Sequence, residues 1–159
     1  SNFNSIADRF IYFWAVLNPK ICMKKMLQIL LIEDDTIEVM KFVKVTENTG
    51  LKHQIIETRN GEDALKFLNN TKQLPDIIVL DLNMPKINGI EFLNTLKKSK
   101  HLKHIPAIVL TTSNNPKDIV ECYKIGIAGY IIKPLKYEDY VVRVERILDY
   151  WSYNELIKP

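Results

Sequence analysis

Cysteine is nearly absent: Cys22 and Cys122 are the only two in 159 residues. Two thiols without framework spacing fit a reducing compartment and exclude a disulfide-stapled scaffold. Long apolar runs are missing as well. The one candidate targeting segment, Phe10 to Leu17 (FIYFWAVL), is far below the ~20 residues of a spanning helix. Asp8 precedes it and no small-residue cleavage site follows before Lys24 and Lys25, which excludes a signal peptide. The expected setting is cytoplasmic, without a membrane partner. An excess of one charge is lacking too. The formal net charge of +3 comes from residues 1–26, where Arg9, Lys20, Lys24 and Lys25 face Asp8. The rest carries 18 basic and 18 acidic residues, so no basic stripe marks a nucleic-acid binder. Glycine is scarce, and no linker rich in glycine, serine or proline follows the last amphipathic stretch, so one domain with a sizeable core is expected.

What is present is alternation. After Met26, five short apolar runs are separated by amphipathic stretches: Gln28 to Ile32, Gln54 to Thr58, Ile77 to Asp81, Ala107 to Thr111 and Gly129 to Lys133. That pattern predicts a parallel sheet covered by helices on both faces. The third and fourth runs, IIVL and AIVL, lack polar alternation and read as central strands buried on both sides. The second, with His53, Gln54, Glu57 and Thr58, reads as an edge. Helix starts are announced by Asn60-Gly61, by Asn88-Gly89, and by Asn115-Pro116 as an N-cap with proline at the first helical position. The last helix is expected from about Tyr137, with Val141, Val144, Ile147, Leu148 and Trp151 at helical spacing.

The chemistry gathers at strand ends. Glu33 and Asp34 follow the first strand, Asp81 closes the third, Thr111 the fourth, and Lys133 with Pro134 the fifth. If the strands are parallel neighbours, three acids and one lysine meet at the carboxyl edge of the sheet, where open α/β folds bind ligands. Ionised carboxylates 4 Å apart repel by up to ~4 kcal/mol at an effective dielectric near 20. Either a raised pKa or a hard divalent cation must offset that. Mg²⁺ suits such a site, because it takes oxygen ligands and commonly uses one or two carboxylates plus a phosphate; the Asn83 carbonyl is a candidate third ligand. Lys133 can pair with Asp81 at rest and neutralise oxygens added to it. The Thr111 hydroxyl is placed to hydrogen-bond the same group. The set suits an aspartate that accepts phosphate, with positioning and electrostatics supplying most of the catalysis. Each piece alone has a bland explanation, such as a turn cap for Asp81 or a helix-dipole cluster for Glu33-Asp34-Asp35. Their joint occurrence at the ends of strands one, three, four and five does not.

From about Leu27 to Trp151 the chain resembles the receiver domain of two-component response regulators, and in single-domain form the chemotaxis-type and phytochrome-associated regulators. The resemblance rests on Glu33-Asp34, on DLNMPKINGIEFL around Asp81, on IPAIVLTTS with Thr111, and on GYIIKPL with Lys133. It implies a flavodoxin-like, doubly wound, five-stranded parallel sheet of order 2-1-3-4-5 with five helices. It implies phosphoryl transfer from a sensor histidine kinase or histidine phosphotransfer domain to Asp81 with Mg²⁺. Metal contacts would come from Asp34, Asp81 and the Asn83 carbonyl, with Glu33 acting mainly through water. A cis peptide before Pro134 is implied, as is a switch in which Thr111 moves to the phosphoryl group while Tyr130 turns inward. Thr112 departs from the alanine or glycine common there, which narrows access.

Three rival readings meet obstacles in the residues. An aspartate-nucleophile phosphatase resembling the haloacid dehalogenase family needs a second acid two residues on, where Asn83 stands and cannot protonate a leaving group. A flavodoxin-like cofactor binder needs a phosphate-cradling first loop, but Glu33-Asp34-Asp35-Thr36 would repel one. A pseudo-receiver would not need the complete acid, threonine and lysine set. Residues 1–26 read as an extension, 27–152 as the domain and 153–159 as a tail. Ser1-Asn2 reads as a tag scar, with Met23 or Met26 as a candidate start; the aromatics Phe10, Tyr12, Phe13 and Trp14 call for a short helix packed on its own domain or a neighbouring copy. Output is expected through a downstream protein target. The face of the fourth helix, fifth strand and fifth helix is the candidate surface, also for a homodimer, with Tyr123, Tyr130, Tyr140, Val141 and Tyr150 as contact candidates, unless some are core residues, Val141 first among them.

Overall fold

Successive side chains of a strand point to opposite faces, so a continuous apolar run can feed two cores at once. In the structure, a computed structural model that describes residues 24–157 and the single residue Ile6, this happens along the whole sheet. The elements are β1 (Gln28–Ile32), α1 (Thr36–Glu47), β2 (Gln54–Thr58), α2 (Gly61–Asn70), β3 (Ile77–Leu80), α3 (Gly89–Lys98), β4 (Ala107–Thr111), α4 (Pro116–Ile125), β5 (Gly129–Ile132) and α5 (Tyr137–Tyr153). The strands are all parallel, in the order β2-β1-β3-β4-β5. This is the parallel, helix-covered sheet that the apolar runs predict, in the flavodoxin-like order and with the five helices that the resemblance implies.

Leu30, Ile32, Ile78, Leu80 and Val109 face one layer, where Ala64, Leu68, Phe92, Leu93, Leu96 and Cys122 of α2, α3 and α4 close over them. Their strand neighbours Ile29, Leu31, Ile77, Val79, Ile108 and Leu110 face the other, under Phe42 and Val45 of α1 and Val144, Ile147 and Leu148 of α5. Each fully buried aliphatic side chain contributes roughly 1.5–3 kcal/mol of transfer free energy. β3 and β4 are buried throughout, whereas β2 and β5 are only half-covered, as edges should be.

Side-chain caps fix where most helices begin. Asn60, Asn88 and Asn115 accept from the N–H groups of Asp63 (2.9 Å), Glu91 (3.0 Å) and Lys117 (3.0 Å), and Asp35 accepts from Ile37 at 2.8 Å. Each such cap stabilises its helix by about 1 kcal/mol. α4 ends on Gly126 at φ 106°, a left-handed conformation that favours glycine.

Some expectations are corrected. Tyr140 is not a surface contact residue but is 1% exposed inside the α1–α5 layer, because the period of α5 turns it inward with Val144. Val141 is half-buried, while Tyr123 and Tyr150 are exposed. β3 and β5 each end one residue early, at Leu80 and Ile132. Asp81 and Lys133 still donate their N–H groups to Ile32 O (3.1 Å) and Thr111 O (2.7 Å) before the chain turns away. The helix expected within residues 1–26 lies outside the described residues, as does Cys22. Lys24 and Lys25 are described and pair with Asp149 (2.6 Å) and Glu155 (2.5 Å) at the end of α5. Among the described residues no helix is long and apolar enough to cross a membrane.

Candidate functional site

Strand register builds the site. Ile32 pairs with Leu80, which sets Glu33 beside Asp81; Thr111 pairs with Ile132, which sets Lys133 just past the same edge. Glu33 and Asp81 are 5% and 8% exposed, Thr111 is fully buried, and the Lys133 side chain is 6% exposed. The Lys133 ammonium donates to Glu33 Oε2 at 2.5 Å and to Asp81 Oδ2 at 3.4 Å. Burial works against its charge, but the hydrogen bond to Glu33 and the fields of Asp81, Glu33 and Glu38 outweigh that and hold its pKa above the ordinary lysine value. Burial lifts the pKa of Glu33 more than Lys133 lowers it. Glu33, Asp81 and Glu38 all share this one ammonium.

Asp81 is aimed by its own loop. Its Oδ1 accepts from Asn83 N–H at 3.3 Å. Gly89 donates its N–H to Leu82 O at 3.1 Å, and a methyl group at residue 89 would lie 2.7 Å from both Asp81 O and Leu82 Cα. Only glycine lets α3 start so close behind the acid. Thr111 Oγ1 accepts from Ser113 N–H at 3.3 Å; an accepting hydroxyl keeps its own proton to donate. Tyr130 is half-buried, and its hydroxyl already donates to Ser113 O at 3.0 Å.

Glu33, Asp81 and Lys133 are brought into direct contact, and Thr111 lies on the neighbouring strand end. Asp34 and Asn83 stand exposed at the rim. The expected cis bond before Pro134 is absent; no peptide bond among the described residues is cis. Trans is the default even before proline, by roughly 0.5–1 kcal/mol, and here Lys133 reaches Glu33 without the isomer.

Two participants escaped the sequence reading. Ser113 collects both Thr111 and Tyr130 and donates its own hydroxyl to Asp118 at 2.7 Å. Glu38 brings a fourth carboxylate, with Oε2 at 3.4 Å from the Lys133 ammonium. A signal for it existed, since Asp35-Thr36-Ile37-Glu38 has capping-box spacing. The box is not formed, because Asp35 N–H goes instead to Glu33 Oε1 at 3.1 Å, and Glu38 turns into the pocket.

The donor set fits a hard divalent cation: carboxylates and a carbonyl, with no sulfur or imidazole. Beside that set, Glu38 Oε2 is buried without a hydrogen-bond partner. Among the described residues no three acids, cysteines or histidines converge as a ready-made cage; the buried acids surround the ammonium instead.

Known proteins share this fold. The chain is 38% identical over 127 residues to a probable methanogenesis regulatory protein, FilR2, of Methanothrix harundinacea, covering 77% of this chain and 82% of that one. The crystal structure of a phosphorylated cyanobacterial phytochrome response regulator, RcpA, superposes with TM-score 0.79 at 31% identity, covering 82% and 98% of the two chains. The Mn²⁺-bound response regulator Rcp1, a protein of Synechocystis, superposes with TM-score 0.76 at 32% identity over 84% and 99%. The response regulator receiver domain family matches residues 29–145. With strand order, strand-end acids and lysine all in place, the chain belongs to the receiver domain family of two-component response regulators.

Proposed function

We propose that this receiver accepts a phosphoryl group on Asp81 from a phosphohistidine of a sensor histidine kinase or phosphotransfer domain. The observation that carries the proposal is the buried Asp81 carboxylate, held at the end of a central strand within 3.4 Å of a buried ammonium. In the step, an Asp81 oxygen attacks phosphorus, the phosphorus–nitrogen bond breaks, and the imidazole nitrogen leaves with the electron pair. Lys133 neutralises the new oxygens and Thr111 donates its hydroxyl to one of them, so catalysis is positioning and charge placement.

Asp34, Asp81 and the Asn83 carbonyl would hold Mg²⁺, with Glu33 contacting it through water. When bound, the cation supplies charge neutralisation of the transferring group. Moving a two-state equilibrium from 1:99 to 99:1 takes about 5.5 kcal/mol. Two charge-assisted hydrogen bonds of roughly 1.5–3 kcal/mol each, from Thr111 and Lys133, are about sufficient. The chain turns over no substrate beyond its own phosphorylation and dephosphorylation. It signals in the cytoplasm by presenting a changed surface to a protein target.

The surface we assign is the α4–β5–α5 face, where a groove of about 600 Å³ is lined by Tyr130, Ile131, Val142, Ile147, Tyr150 and Trp151. A homodimer through this face is part of the proposal, and a mass independent of concentration in both phosphorylation states would remove it. For the acceptor, intact mass after incubation with acetyl phosphate and Mg²⁺ should rise by one phosphoryl group in wild type, not in Asp81→Asn, and not with chelator. No gain on folded wild type would leave an interaction module without phosphorylation.

A further inference from the structure

Lys133 has three N–H donors and three carboxylates around it. Glu33 takes the shortest contact at 2.5 Å, while Asp81 and Glu38 both stand at 3.4 Å. Glu38 is the odd member, because it belongs to α1 and not to a strand end. Its Oε1 accepts from Lys41 at 2.5 Å, and its Oε2 is buried, turned toward Lys133, and without a hydrogen bond. Lys41 in turn sits over the ring of Tyr140, 4.7 Å from its centroid, and Tyr140 is part of the α5 core. A chain of contacts therefore runs from the pocket through Glu38 and Lys41 to Tyr140 on α5.

We propose that Glu38 is a positioning residue that competes with Asp81 for the Lys133 ammonium, and so limits the phosphorylated state. The idea rests on the phosphoacceptor reading above. Adding a phosphoryl group to Asp81 draws Lys133 toward the new oxygens, and the Glu38 carboxylate draws it back. Lys41 moderates that pull by occupying the other Glu38 oxygen. The two residues should therefore act with opposite sign. Glu38→Gln removes the competing charge, keeps the shape, and frees Lys133 for Asp81. Lys41→Gln leaves Glu38 with Lys133 as its remaining cation and strengthens the hold.

The test compares wild type, Glu38→Gln, Glu38→Asp and Lys41→Gln in two arms. The first needs no phosphorylation: ¹⁵N spectra of the lysine ammonium groups, and calorimetric titration with MgCl₂. Glu38→Gln should shift the Lys133 and Lys41 resonances and weaken Mg²⁺ binding by roughly tenfold, the low end for a residue just outside a metal's ligands. The second arm measures the phosphorylated fraction with acetyl phosphate at saturating Mg²⁺. Glu38→Gln should raise the steady-state fraction severalfold, Lys41→Gln should lower it, and Glu38→Asp, with the charge but a shorter reach, should fall between Glu38→Gln and wild type.

A Glu38→Gln protein with a wild-type melting midpoint but unchanged lysine resonances and Mg²⁺ affinity would overturn the proposal. So would a fall in phosphorylated fraction in both Glu38→Gln and Lys41→Gln, the pattern of a merely structural pair. Should wild type accept no phosphate at all, the phosphoacceptor reading fails, and the limit on a phosphorylated state falls with it. The first arm would still decide whether Glu38 positions Lys133.

Discussion

The two ends of one strand carry the same residue type to opposite fates. Asp76 precedes β3 at the amino edge of the sheet, where its Oδ2 accepts from Gln28 N–H at 2.8 Å and its own N–H donates to Gln28 O at 2.7 Å. Next to it, His53 Nδ1 accepts from Leu27 N–H at 3.0 Å, and Gln54 N–H donates to Leu27 O at 2.8 Å. At that edge the Asp76 and His53 side chains complete the backbone's hydrogen bonding, each accepting from one N–H. Asp81, at the carboxyl edge, accepts only long bonds of 3.3 and 3.4 Å and shares one lysine with two other acids. An edge completed in this way anchors strands. An edge where three acids share one ammonium is open to a cation or a phosphoryl group, at some cost in stability.

The largest test of that contrast exchanges the two aspartates' losses. Asp81→Asn should abolish phosphorylation while leaving the melting midpoint unchanged or higher, since it removes one of the crowded carboxylates. Asp76→Ala should leave phosphorylation intact and cost about 1–3 kcal/mol, because Gln28 N–H loses its acceptor. Mass spectrometry and thermal melts on both proteins check the pair; an Asp76→Ala protein that is fully stable but unphosphorylated would invert the argument.

Next in size is Lys133→Ala. It strips buried Glu33 and Asp81 of their cation, and breaking such a buried pair costs about 3–5 kcal/mol. Phosphate should still reach Asp81, but without the accompanying change of shape. Denaturant melts give the first number, and tryptophan fluorescence with and without acetyl phosphate the second.

Gly89→Ala joins stability to function. The added methyl collides with backbone at 2.7 Å, which should cost about 1–3 kcal/mol as overpacking. It should also slow phosphorylation, by about a hundredfold if Asp81 moves 1 Å. Gly50→Ala is the control: it meets nothing within 4 Å and carries only the strain of φ 75°.

The smallest effect concerns pH at the amino edge. Burial lowers the pKa of His53 below its ordinary value, and its accepting Nδ1 must stay unprotonated. The unfolded chain therefore binds the proton more readily, so stability is full above about pH 6.5 and is lost as pH falls toward the folded value. His53→Gln, which keeps an acceptor without a titrating ring, should flatten the dependence of the melting midpoint between pH 7 and 5.

Much of this was legible in the residues. All five strands, the helix starts at Asn60, Asn88 and Asn115, and the meeting of Glu33, Asp81 and Lys133 follow from apolar runs and what stands at their ends, whereas Asp34, expected among the acids, stands exposed at the rim. Glu38 was not, because its spacing advertises a capping box that Glu33 pre-empts. Ser113 escaped because its part lies mostly in backbone groups, which any residue type supplies. Tyr140 was misplaced because an aromatic on the last helix looks alike whether it faces a partner or a core. The cis bond before Pro134 came from family likeness and not from any local feature.

The complete burial of β3 and β4 has a consequence in time. Amide hydrogens in strands covered on both faces exchange only through the rarest openings of a molecule, while edges such as β2 and β5 open far more often. Leu80 and Val109 should therefore be among the last amides to exchange. Asp81 hangs directly from that slow unit, so the acceptor keeps its place while the edge strands fray and re-form around it.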